Sequence, residues 1–128
     1  MKSHSNIAVA LIVGAAIGAG AIHGLHAQAK LPAYVIVDIR SVNDPDGLKS
    51  VQAKTAPEAL AAAGGHYVVR TNDITGLEGT PPKRYVLIAF DSAEEALAWH
   101  NSAAQKEVTA IRVKATDSVS FMVEGTAN

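Results

Sequence analysis

Arg84-Tyr85-Val86-Leu87-Ile88-Ala89-Phe90, followed by Asp91-Ser92-Ala93-Glu94-Glu95-Ala96-Leu97-Ala98-Trp99-His100, decides how this chain folds. Successive side chains of a strand point to opposite faces, and here both sets are apolar: Tyr85, Leu87 and Ala89 on one, Val86, Ile88 and Phe90 on the other. A strand with no polar side needs cover above and below. Ser92, with Glu95 three residues later, forms a capping box, so a helix starts directly after the strand.

Upstream, residues 34–40 read as a first strand with Val35, Val37 and Ile39 on an apolar face and Tyr34, Ile36, Asp38 and Arg40 on a mixed one. Asn43-Asp44-Pro45-Asp46 carries helix-start chemistry: a capping carboxylate, a proline where its missing N–H is harmless, and an acid near the positive end. The helix is expected to run to residue 63, with Leu48, Val51, Thr55, Ala59 and Ala62 on one stripe and Pro57 breaking it midway. Gly64-Gly65 ends it. Residues 66–71 form a second strand, Tyr67 and Val69 against His66, Val68 and Arg70. A turn-rich connection with Gly76, Gly79 and Pro81-Pro82 follows, residues 74–78 extending the strand past a bulge. Beyond the central strand, Ala93, Ala96, Leu97 and His100 share a helix face, and Asn101-Ser102 interrupts. Residues 103–115 form a further helix with Val108 and Ile111 inward and Lys106, Arg112 and Lys114 outward. A last strand, 118–124, has Val119, Phe121 and Val123 on its apolar face.

The order is βαββαβ. Right-handed crossovers around an antiparallel sheet then predict an α+β, ferredoxin-like fold, strand order 4-1-3-2, helices on one face. Those helices cover one side only, so the other calls for a second copy of the chain: a homodimer, sheet against sheet.

At 128 residues, 48% hydrophobic and 18% charged, the chain has the composition of one ordinary globular domain. Eleven Lys plus Arg against twelve Asp plus Glu leave a net charge of −1 with no basic stripe, which argues against a nucleic-acid partner. The absence of cysteine excludes disulfides, thiol catalysis and thiolate metal sites. Residues 1–29 read as an export signal: a polar start with Lys2, an apolar run from Ile7 to Ile22, and Ala27-Gln28-Ala29 before a mature domain of 30–128. This predicts a periplasmic or secreted protein. The competing reading is a retained inner-membrane anchor, because the 19 residues from Ile7 to Leu25 lack Asp, Glu, Lys and Arg and contain two G-x-x-x-G spacings; the protein then meets the membrane only through that segment.

Gly64-Gly65-His66-Tyr67-Val68-Val69-Arg70, then Leu77-Glu78-Gly79, then residues 84–90 with Ser92, Glu95, Ala96 and Trp99, and finally Val123-Glu124-Gly125, resemble the bacterial domain-of-unknown-function family 1330 over about residues 33–125. The resemblance implies a dimeric α+β barrel, a superfamily that also holds cofactor-free monooxygenases, small isomerases and haem proteins, and implies no settled activity. The chain departs from the family pattern after the tryptophan and after the serine. His100, Ala103 and Gln105 stand where the family usually has an aromatic, a proline and a tyrosine.

If Val35, Val37, Tyr67, Val69, Val119 and Phe121 face the helices, the opposite face gathers Tyr34, Ile36, Asp38, His66, Val68, Arg70, Ser118, Ser120 and Met122. That is an apolar lining with a few polar groups, as in small-molecule sites. Asp38 and Arg70 would start ~9–10 Å apart, with one strand between them. One reading has Arg70 holding a carboxylate or enolate, Asp38 or His66 accepting a proton, and Tyr34 orienting; Ser120, Trp99 and His100 complete the candidate binding set. The other makes Asp38 and Arg70 an ion pair that fixes dimer register. His66, at strand entry, is expected to be partly exposed, His100 to cap a helix end, and Trp99 to anchor packing. No metal-ligand spacing, phosphate loop or serine elbow is present, and no cofactor is expected. The function reading is a homodimer that binds a small, partly apolar or anionic molecule on the open sheet face. The alternative is a small metal-independent enzyme, monooxygenase-like or isomerase-like, using the same cavity.

Overall fold

A computed structural model describes residues 30–127. The candidate export signal or anchor, 1–29, lies outside the described residues, and among those described no helix is long and apolar enough to cross a membrane.

The elements are β1 (Ala33–Val42), α1 (Pro45–Lys54), α2 (Pro57–Ala62), β2 (Gly65–Thr71), β3 (Arg84–Phe90), α3 (Ala93–His100), α4 (Ala103–Ala115) and β4 (Thr116–Glu124). Three helix starts follow side-chain caps. The Gly47 N–H donates to Asp44 Oδ1 (3.1 Å), the Glu95 N–H to Ser92 Oγ (3.3 Å) and the Gln105 N–H to Ser102 Oγ (3.2 Å). Pro57 splits the first expected helix in two. Ala56, ahead of the proline, takes an extended ψ of 153°, which the proline ring favours and a continuing helix forbids. Gly64 closes α2 at φ +87°, in the left-handed region. At Gly65 a Cβ would fall 2.8 Å from the Phe90 ring and 2.9 Å from Leu60 Cδ1, so the second glycine makes room for the core.

The strands form one sheet in the order β2-β3-β1-β4, every neighbouring pair antiparallel, as predicted. Ala33 and Val35 from β1, Val86, Ile88 and Phe90 from β3, Leu60 from α2 and Ala96 from α3 make the core between sheet and helices. Leu60 and Phe90 are its largest fully buried side chains. Leu60 takes the place the expected stripe gave to Ala59 and Ala62, which are exposed.

The face assignment differs from expectation on both edge strands. In β2 the pairing slips at a bulge, so Tyr67 lies opposite Ile88, Val69 opposite Leu87 and Arg70 opposite Val86. One extra residue reverses the alternation beyond it, which turns Val69 to the open face and Arg70 towards the helices. The bulge falls within β2, and residues 74–78 form no strand. In β4 the register sets Ser118, Ser120 and Met122 opposite Ile39, Val37 and Val35, on the helix side, and Val119, Phe121 and Val123 opposite Asp38, Ile36 and Tyr34, on the open side. The inner Ser118 is satisfied: Arg112 Nη1 donates to its hydroxyl at 2.7 Å, while the Thr116 hydroxyl donates to the Arg112 carbonyl at 2.7 Å. Arg112 itself, expected outward, is 8% exposed.

The open face is therefore more apolar than expected. Ile36 sits between Leu87 and Phe121 in the pairing register and is buried, whereas Val119, Phe121 and Val123 are 55%, 49% and 45% exposed.

Candidate functional site

The helix break at Pro57 opens a cleft between the helices and the sheet. Its floor is Val37, Ile39 and Val86; its roof is Leu48 and Val51 of α1, Val108 of α4, and Trp99. Because Thr55 and Ala56 are not helical, the Thr55 carbonyl is free to accept the Tyr67 hydroxyl, which ties β2 to the break. Trp99 packs on Phe90 with ring centroids 5.4 Å apart, which fixes the indole as a wall of the cleft.

Arginine sets the polarity of this space. Arg70, Arg84 and Arg112 line it with Gln52, Thr55 and Gln105, and no Asp, Glu or His does so among the described residues. Arg70 lies over the Tyr67 ring, its guanidinium carbon 4.5 Å from the centroid. Arg84 Nη1 donates to Asn72 Oδ1 at 2.9 Å. Burial, and after it the positive charge of Arg70, lowers the pKa of Arg84; burial alone lowers that of Arg112. The described ion pairs, Arg40–Asp38 and Lys54–Glu107, leave these guanidinium groups without a carboxylate partner. The inner cleft is narrow, about 60 Å³, and its mouth, between Gln52, Ala56, Pro57, Arg70 and Arg84, holds about 390 Å³. An anion at this mouth would gain charge-assisted hydrogen bonds worth roughly 1.5–3 kcal/mol each.

The residues singled out from sequence fall in three places. Arg70 and Trp99 line the cleft. Ser120 and His100 meet at a separate hollow of about 160 Å³ between α3 and β4, with Val35, Ala96, Leu97 and Met122. Tyr34, Asp38 and His66 stay on the open face, opposite Ala89, Tyr85 and Ala89 of β3 in turn. Asp38 pairs with Arg40, its Oδ2 accepting from Nη2 at 3.1 Å, and not with Arg70, which the bulge sends to the other side of the sheet. Its Oδ1 is buried without a partner, beside a shallow open groove of about 480 Å³ under the β2–β3 connection. His66 and His100 are exposed.

Arg84, at the start of the central strand, and Arg112, expected to point outward, are the two arginines of the cleft that sequence reasoning missed. Tyr67, Gln52 and Gln105 also join the cleft.

Residues 32–126 match the family described as a domain of unknown function (DUF1330). The chain belongs to the DUF1330 family. No curated protein matches it. Among solved structures, it is similar to a protein of unknown function from Rhodopseudomonas palustris (TM-score 0.58, 15% identity, covering 85% of this chain and 94% of that one). It is also similar to a dimeric ferredoxin-like protein of unknown function from Thermobifida fusca (TM-score 0.57, 17% identity, 74% and 92% covered). A third likeness is to SnoaB, a cofactor-independent oxygenase from Streptomyces nogalater (TM-score 0.51, 13% identity, 77% and 96% covered). At these identities the likenesses establish the ferredoxin-like fold of this DUF1330 chain and no activity.

Proposed function

We propose that this DUF1330 protein is an exported homodimer that binds a small, partly apolar anion in the cleft between helices and sheet. The observation that carries the reading is the lining: an apolar hollow with Arg70 and Arg84 at its mouth, Arg112 in its wall and no carboxylate beside them. Such a space favours a ligand that supplies both the missing negative charge and an apolar body. Holding suits it better than proton abstraction, since the described lining offers guanidinium and amide groups and its one phenol, Tyr67, is already bonded to the Thr55 carbonyl.

The dimer is supported by the open face. Val119, Phe121 and Val123 form an exposed apolar stripe beside Ile36 and Leu87, and the similar protein from Thermobifida fusca is described as dimeric. Export rests on residues 1–29 alone.

Thermal unfolding with a panel of small carboxylates and their uncharged amides tests the ligand reading. A carboxylate at ten times its Kd adds about 1.4 kcal/mol of stability, a rise of roughly 5–11 °C for a domain of this size, and its amide far less. Equal stabilisation of the wild type and Arg70→Ala would remove Arg70 from the site.

A further inference from the structure

We infer that the anion is an unbranched alkyl carboxylate of medium length, its head between Arg70 and Arg84 and its tail passing Trp99 into the hollow between α2 and α4. This rests on the reading of the cleft as an anion site and adds to it the shape of the ligand.

The arginine-lined cleft and that second hollow, of about 140 Å³, share Thr55, Trp99, Gln105 and Val108 as lining, so they are consecutive spaces along one wall. Thr55, common to both linings, sits at the helix break before Pro57. Ala59, Leu60, Ala63 and Ala104 make the far hollow smooth and apolar. Its polar rim is already engaged: Lys54 Nζ lies 3.5 Å from Glu107 Oε1, and Ser102 both donates to the Trp99 carbonyl at 2.7 Å and accepts from the Gln105 N–H. A second charged or hydroxylated end would lose hydration there with few partners left beyond the Gln105 amide, whereas methylenes lose nothing. The space between mouth and hollow is small, about 60 Å³, which favours a thin flexible chain over a fused ring system. A positive mouth, a narrow waist and an apolar end describe a molecule with one anionic head and one thin tail.

The chain carries a single tryptophan, and that residue lines both spaces, so its fluorescence reports a tail directly. The full-length protein is titrated with butanoate, hexanoate, octanoate, decanoate and benzoate below micelle-forming concentrations, and again as Ala104→Phe, Ala59→Phe and Arg70→Ala. Both alanines are exposed at the rim of the hollow, so the phenylalanines fill it without entering the core. The expected wild-type result is a gain of about fourfold in affinity per methylene from butanoate to octanoate, with a change in tryptophan emission. In either phenylalanine variant the gain disappears beyond hexanoate, and in Arg70→Ala every chain length weakens tenfold or more. Affinity independent of chain length, or a chain-length gain that survives both fillings, overturns the tail assignment. If butanoate and benzoate still bind and still depend on Arg70, the anion site stands without it. If none of the carboxylates binds the wild type, both readings fall.

Discussion

Replacing Arg112 with methionine should make the free protein more stable and reduce the stabilisation that a bound anion adds, because the cleft lining loses one of its three positive charges. Arg112 is 8% exposed, has no carboxylate partner in the described ion pairs, and donates through Nη1 to one hydroxyl, that of Ser118. An ion taken out of water without a counter-charge costs several kcal/mol, and one charge-assisted hydrogen bond returns roughly 1.5–3 kcal/mol of that. Methionine keeps the apolar stem that packs within α4 and removes the charge. Ser118 is not orphaned, because its hydroxyl stays 2.9 Å from Thr116 Oγ1. The balance favours methionine by about 1–2 kcal/mol, which at 4–8 °C per kcal/mol is a rise of roughly 4–16 °C in Tm. Burial lowers the pKa of Arg112, so its folded form disfavours the charge. Because arginine stays charged across the working range, the penalty persists at every neutral pH and the gain should not vary between pH 6 and 8. Circular dichroism melts of both proteins, with and without a carboxylate, measure the two effects. A lower Tm for the ligand-free Arg112→Met protein would refute the claim that the cleft wall is held under electrostatic strain.

Three further outcomes follow from the packing. Phe121→Lys places a charge in the centre of the apolar stripe; with about half of a phenylalanine surface, roughly 100 Å² per protomer, withdrawn from the interface, the dimer should weaken by about 5 kcal/mol, or more than a thousandfold. Light scattering on a dilution series of both proteins reads this: a dimeric mass unchanged by the substitution would move the proposed interface off the open face, and a monomeric wild type would remove it. Leu60→Ala, at a site 2% exposed that closes the core over β2 and β3, should lose about 2–5 kcal/mol by urea unfolding. Gly65→Ala should lose about 1–3 kcal/mol by the same measurement, since the new methyl meets the Phe90 ring at 2.8 Å; a neutral result would show that Phe90 has room to move.

The fold was legible because its signals are local. The cap at Ser92, the break at Pro57 and the turn at Gly64 each act through bonds within a few residues, and each sits where its chemistry requires. Part of the site was legible too. Arg84 alternates with Val86, Ile88 and Phe90, so it had to share their face, and Arg112 lies four residues after Val108 and three before Ala115, on one buried helical stripe. Against both periods stands the general solvation of arginine, which points an isolated guanidinium away from a buried face. Arg70 was different. Its side depends on a one-residue slip against β3 that no feature of 66–71 announces, and such a slip changes which arginines can meet.

For β4 the alternation itself was correct and its direction was not. Val119, Phe121 and Val123 differ from Ser118, Ser120 and Met122 in polarity, but when both faces of a sheet are to be covered, polarity names the more apolar cover and not which one it is. The helices here meet serines, one of them held by Arg112, because α4 runs into β4 without a loop and fixes the strand's rotation at Thr116. The apolar half of β4 is left for the face that no helix reaches. The same rotation that directs Arg112 into the cleft therefore turns Phe121 towards the proposed partner, so the proposed anion site and the proposed dimer face are two consequences of one short junction. A residue inserted between Ala115 and Thr116 should disturb both at once: carboxylate-induced stabilisation and dimer mass should fall together, and loss of one without the other would uncouple them.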